Sequence, residues 1–194
     1  MARSKKGSAS RTLPIALELL AADHRKVEGL FARFEKGSDG DDPARRALAH
    51  RICAELKAHM QLEEELFYPW LRENLDEDSM RLIEEAYAEH ASARNLIAQL
   101  ESEGEMDEAY ETKMKALSEA IEHHVKEEES EIFTKVLERR DELDELGQEM
   151  HARRAGLMEE LGLREEGGEM SAMGMSHAGR SARTRQQSAR RGSH

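Results

Sequence analysis

His59 and Glu63 stand four residues apart in HMQLEEELFYPW, and His124 and Glu128 repeat that step in HVKEEESEIF, 65 positions later. At the pitch of an α-helix each pair shares one face, one side chain above the other. His24 and His90 fall singly in two further amphipathic stretches, so four helices can each present an imidazole at one level of a bundle. Imidazole nitrogen with carboxylate oxygen suits iron, manganese or zinc, and a carboxylate's two oxygens can bridge a pair of ions. Left unpaired in an apolar core, each such charge costs several kcal/mol, so these groups must either pair with one another or bind metal.

Glutamate is so common in this chain that one His-x-x-x-Glu match carries little information; register makes it selective. The apolar stripe of Leu117, Ile121 and Ile132 takes in His124 and Glu128, whereas His123 falls with Ala116, Ala120, Glu127 and Glu131 on the wet side. His123 with Glu127 is therefore a decoy, and Glu64, Glu65, Glu127 and Glu129 read as solvated faces.

The elements that must position these residues follow from the same periodicity. A first helical segment over about 12–35 repeats Leu13, Leu17, Leu20, Val27, Phe31 and Phe34 every three or four residues, with His24 in the vacant place. KGSDGDDP is a connection, and Pro43 suits the first turn of the next helix. That second segment carries Leu48, Ile52, Leu56, Leu66, Phe67 and Trp70 on its inner side, completed by His59 and Glu63; Pro69 is expected to kink or end it. A third has Ile83, Ala86, Tyr87, Ala93, Ile97 and Leu100 around His90, and a fourth has Met114, Leu117, Ile121, Val125, Ile132, Phe133 and Val136. Short connections predict an all-α, antiparallel up-down-up-down four-helix bundle over residues 12–140. Leu143, Leu146, Met150, Leu157, Met158 and Leu161 predict one or two extra helices over 141–163. Residues 1–11 read as a flexible basic segment and 164–194 as a disordered Gly, Ser, Arg and Met tail. A lone His followed by His-x-x-x-Glu occurs in 12–70 and again in 80–136, the mark of an internal repeat of two helix pairs.

Composition narrows the chemistry. Cys53 is the one cysteine, so neither a disulfide within the chain nor a thiolate cluster is available, and any metal must use nitrogen and oxygen. A formal net charge of −12 argues against nucleic acid binding by the folded body. No apolar run reaches the roughly 20 residues of a membrane span, which predicts a cytoplasmic protein. Met170, Met173, Met175 and His177 are irregularly spaced and make a poor copper site.

Four stretches, DHRKVEGLF at 23–31, HMQLEEELFYP at 59–69, EHASARNLI at 89–97 and HHVKEEESEIF at 123–133, resemble the hemerythrin-like family, the HHE cation-binding domain. The resemblance implies a non-haem site of two iron ions, oxo- or hydroxo-bridged, with His24, His59, His90 and His124 as nitrogen ligands and Glu63 and Glu128 as bridges. It also implies small ligands such as oxygen, peroxide or nitric oxide, and leaves room for peroxide consumption of a catalase-like kind, although no separate nucleophile or acid–base dyad is evident. Non-enzymatic iron or oxygen sensing and a metal-free structural bundle are the alternatives. Oxygen-carrying members place a second histidine one turn after the third-helix ligand, where this chain has Arg94. Tyr87 and Glu28 are candidates to fill that vacancy. A second departure, Thr134 where a proline often follows the motif, is expected to affect helix geometry alone.

Overall fold

The computed structural model describes residues 13–37 and 42–163. The expectations of a basic N-terminal segment, a disordered tail and Met170, Met173, Met175 and His177 as a weak copper site fall outside those residues. In chain order the elements are α1 (Ile15–Lys36), α2 (Pro43–Leu62), a π-helical turn (Glu63–Phe67), α3 (Tyr68–Asn74), α4 (Glu77–Ser102), α5 (Glu108–Glu127), a second π turn (Glu128–Ile132), α6 (Phe133–Val136) and α7 (Arg140–Glu160). The described residues form no strand. None of their helices is long and apolar enough to cross a membrane.

Carboxylates mark the helix starts. Asp42 accepts from the Ala44 N–H at 3.0 Å, Asp76 from Ser79 at 3.1 Å and Asp107 from Tyr110 at 2.9 Å. Each bonds a first-turn backbone N–H, worth about 1 kcal/mol, and the Ser79 N–H also reaches the Asp76 carbonyl. Pro43 opens α2 as its spacing predicts. The first N–H of α1, at Ile15, is instead taken by Asp144 of α7 at 2.7 Å, so the last helix caps the first.

α1 packs against α2 and α5, and α4 packs against α5 and α2, while α7 lies along α1 and α2. The apolar core has two layers. One collects Leu17, Leu20, Phe67, Tyr68, Leu71, Ile83, Phe133 and Val136 with the inner face of α7. The other collects Val27, Phe31, Phe34, Ile52, Leu56, Ile97, Met114 and Leu117. Along each of the four long helical runs the histidines and the two stacked glutamates fall between these layers.

Both π turns begin at the glutamate of a His-x-x-x-Glu pair. The Tyr68 N–H reaches back to the Glu63 carbonyl and the Phe133 N–H to the Glu128 carbonyl, five residues each time. A π turn holds one residue more than an α turn, so every inward position after it advances by one. The helical period places Leu66 and Trp70 inside; the structure buries Tyr68 and Leu71 and leaves Leu66 and Trp70 half-buried. Pro69 does not end the helix, because the loosened ladder tolerates its missing N–H and α3 continues to Asn74. The second π turn forms without a proline, around Thr134, whose hydroxyl donates to the carbonyls of Ser130 and Glu131 at 3.0 Å.

The C-terminal apolar pattern becomes one helix, α7. Gly147 lets it approach α1: a Cβ there would lie 2.5 Å from the Ala16 backbone nitrogen. Only a residue without a side chain fits this crossing.

Candidate metal centre

The layer between the two apolar clusters is built from four imidazoles and two carboxylates, each no more than 5% exposed. His24 comes from α1, His59 from α2, His90 from α4 and His124 from α5, while Glu63 and Glu128 open the two π turns. The inner nitrogens face one another in pairs. His24 Nε2 lies 3.2 Å from His59 Nε2, and His90 Nε2 lies 3.3 Å from His124 Nε2. Glu63 spans the two pairs, with Oε1 3.3 Å from His59 Nε2 and Oε2 3.2 Å from His90 Nε2. Glu128 Oε2 stands 3.2 Å from His24 Nε2.

These are approaches of donor atoms around a common centre more than hydrogen bonds. Glu63 Oε1 and both oxygens of Glu128 are buried without a hydrogen-bond partner despite their short distances to imidazole nitrogen. Buried carboxylate oxygens are seldom left so. Ligand atoms of His24, His59, Glu63 and Glu128 lie within 4.8 Å of one another, as do those of Glu63, His90 and His124. Glu63 belongs to both groups. The donor set therefore fits a pair of cations linked through that carboxylate.

Three of the four outer imidazole nitrogens are held by carboxylates. His24 Nδ1 is 2.8 Å from Glu129, His90 Nδ1 is 2.9 Å from Glu64, and His124 Nδ1 is 2.9 Å from Glu89. This arrangement presents Nε2 inward and orients each ring, as metal-bound histidines require. Reading Glu64 and Glu129 as solvated faces was incomplete: each stands at the rim, half in water, with an oxygen on a buried ring. Arg94 is exposed and ion-pairs with Glu64, so it steadies the carboxylate that orients His90 from outside the ligand layer.

Of the two further ligand candidates, neither is brought into the layer. Glu28 is exposed on α1. Tyr87 is half-buried, with its ring 5.2 Å from that of Tyr68 and Arg72 over its face. The phenol that reaches the site is Tyr68, fully buried, with its hydroxyl 3.4 Å from Glu63 Oε2 and 3.3 Å from His90 Nε2. The π turn is the signal that sequence periodicity lacks, since it rotates Tyr68 inward.

Burial would lower the pKa of His24, but Glu128 and Glu129 outweigh it and raise that pKa to about 10; Glu63 and Glu64 likewise raise His90 to about 9. His59 is held well below its ordinary value by burial and by the neighbouring imidazoles and Arg154. Burial and the charge of Glu128 push Glu63 up to about 7. Glu128 is itself buried, yet His24 holds its pKa below the usual range. Tyr68 is pushed well above its ordinary value by burial and the two glutamates, which keeps it a phenol in the metal-free protein. Without metal, the layer shares protons where cations would otherwise balance its charge.

Cys53 lies in the second apolar layer, and burial raises its thiol to about 11, the state of an inert packing residue. His123 is exposed beside Glu127 and Glu89 on the rim.

Residues 15–136 match the family model described as the hemerythrin HHE cation binding domain. No curated protein matches the chain. Among solved structures the chain is similar to the crystal structure of a hemerythrin HHE cation binding domain-containing protein from Mycobacterium kansasii. The two share 25% sequence identity at a TM-score of 0.64, over 77% of this chain and 90% of that one.

Proposed function

The chain belongs to the hemerythrin HHE cation-binding domain family, and from that premise we propose that its buried histidine and glutamate layer holds two non-haem iron ions that bind or react with oxygen, peroxide or nitric oxide. The observation that carries this reading is Glu63, whose two oxygens face two separate pairs of opposed imidazole nitrogens. His24 and His59 would hold one ion, His90 and His124 the other, with Glu63 and Glu128 between them. The housing is an antiparallel up-down-up-down bundle over residues 12–140, and the setting is the cytoplasm under oxidative or nitrosative stress.

Iron in this environment supplies a change between ferrous and ferric states and an open position for a small ligand. The protein's part is to keep the site dry, between two apolar layers, and to fix the ligand atoms through Glu64, Glu89 and Glu129. Tyr68, in place of Tyr87 or Glu28, is the additional oxygen within reach: as a phenol it donates toward Glu63, and as a phenolate it completes a ligand set that lacks the histidine replaced by Arg94.

Iron content and the visible spectrum of the aerobically purified protein, before and after peroxide or nitric oxide, test the reading. We expect about two irons per chain and a spectrum that shifts with ligand. A phenolate band lost in Tyr68→Phe and kept in Tyr87→Phe would assign the tyrosine. Peroxide decay that continues unchanged in iron-free protein would overturn any turnover at this site. A sensor reading draws on a separate observation, the contact of Asp23 beside His24 with Arg154 of α7; it predicts that iron changes the protease sensitivity of α7.

A further inference from the structure

Three of the four imidazoles in the layer have a carboxylate on their outer nitrogen, and the fourth has none. His59 Nδ1 is buried without a hydrogen-bond partner. The internal repeat shows where its partner belongs. Glu89 immediately precedes His90 and serves His124; Asp23 immediately precedes His24 and is, by the repeat, the residue that corresponds to Glu89 for His59. Asp23 is 7% exposed, and both its oxygens are taken from another direction. Arg154 of α7 donates to them from Nε at 3.1 and 2.9 Å and from Nη2 at 2.6 Å. Among the described residues α7 stands outside the repeated pairs, and it lies beyond the stretch that matches the family model.

We propose that α7 makes the two metal positions unequal: Arg154 is a positioning residue that withholds Asp23 from His59, leaving the ion held by His24 and His59 the more readily released of the two. A carboxylate on the outer N–H makes an imidazole a more basic ligand and fixes its ring, and losing one weakens metal binding about 10- to 100-fold. The fork of Arg154 engages both oxygens of Asp23, which leaves neither for the outer nitrogen of His59. The consequence is a tight ion at His90 and His124 and a labile one at His24 and His59, set by a helix outside the repeat.

This inference rests on the two-iron reading, and the test separates them. The full chain is loaded with ferrous iron under argon, and release to a strong ferrous chelator is followed by absorbance. Wild type is expected to lose its ions in two equal phases at least about tenfold apart. Arg154→Met frees Asp23 and is expected to bring the phases within about threefold. The double variant Asp23→Ala with Arg154→Met has no carboxylate to free and should keep them apart, an outcome that a merely structural role for Arg154 does not give. Anomalous diffraction from wild-type crystals after partial chelation needs no variant, and should show the position beside His59 emptied first. A single release rate for both ions in wild type, rates still separated in Arg154→Met, or earlier loss beside His124 would overturn the inference. Fewer than two irons in wild type would instead overturn the reading beneath it.

Discussion

Residues 15–74 and 77–136 build one device twice, and their differences say more than their likeness. Each half supplies a lone histidine, a His-x-x-x-Glu pair and a π turn that starts at the glutamate. Each lone histidine carries a ring on its apolar side, and here the halves part. Phe133 stacks on His24 at 6.1 Å, while Tyr68 covers His90 at 5.4 Å and adds a hydroxyl. Before the lone histidine stands Asp23 in the first half and Glu89 in the second; Glu89 serves the layer and Asp23 serves α7. What repeats is the set of residues proposed to hold cations. What differs gives each half a separate chemistry: a phenol on one side, an imidazole without an outer partner on the other.

The strongest way to break the comparison is at the residue both halves share. Glu63→Gln removes a charge that faces both histidine pairs, so both ions should be lost, read as iron per chain. Glu128→Gln, whose ligand atom groups with the first-half histidines alone, should cost chiefly the ion beside His24. Next comes the one-sided helix. Gly147→Ala drives a Cβ into the α1 backbone and should cost about 1–3 kcal/mol in denaturant unfolding. Gly29→Ala, helical with nothing near its Cβ, should instead stabilise by about 0.5–1 kcal/mol.

A pH experiment sharpens the likeness instead. The lone histidines are both raised, His24 to about 10 and His90 to about 9, from 6.5. A group that binds its proton more tightly when folded stabilises the fold fully below its unfolded pKa and loses that contribution as pH rises through the folded value. Iron-free protein should therefore lose stability between pH 6.5 and about 10, and loading iron near pH 7 should release roughly 2 to 3 protons, from His24, His90 and in part Glu63, with one more if Tyr68 binds as phenolate. Thermal unfolding across pH and calorimetry in two buffers measure these. Tyr68→Phe makes the halves alike at that ring and should cost about 1 kcal/mol of stability through the lost hydrogen bond.

Much of this was legible in the sequence because helical period is a strong signal. It separated His124 from His123, and the structure buries the first and exposes the second. It separated the helices and found Pro43 at the start of one. It carries less where the backbone leaves that period: after Glu63 the π turn advances the inner face and brings in Tyr68, which an unbroken α period does not place there. It carries less also where partners are set by tertiary contact. Nothing local to Glu64, Glu89 or Glu129 says that each orients a buried ring, and Asp23 meets Arg154 across 131 positions.

The most direct test of a two-ion layer bridged by Glu63 is anomalous diffraction at the iron edge from aerobically purified, iron-loaded wild type, paired with its iron content. The account predicts two iron positions, one between His24 and His59 and one between His90 and His124, with a Glu63 oxygen on each. A single ion, or two ions that Glu63 does not join, would contradict it.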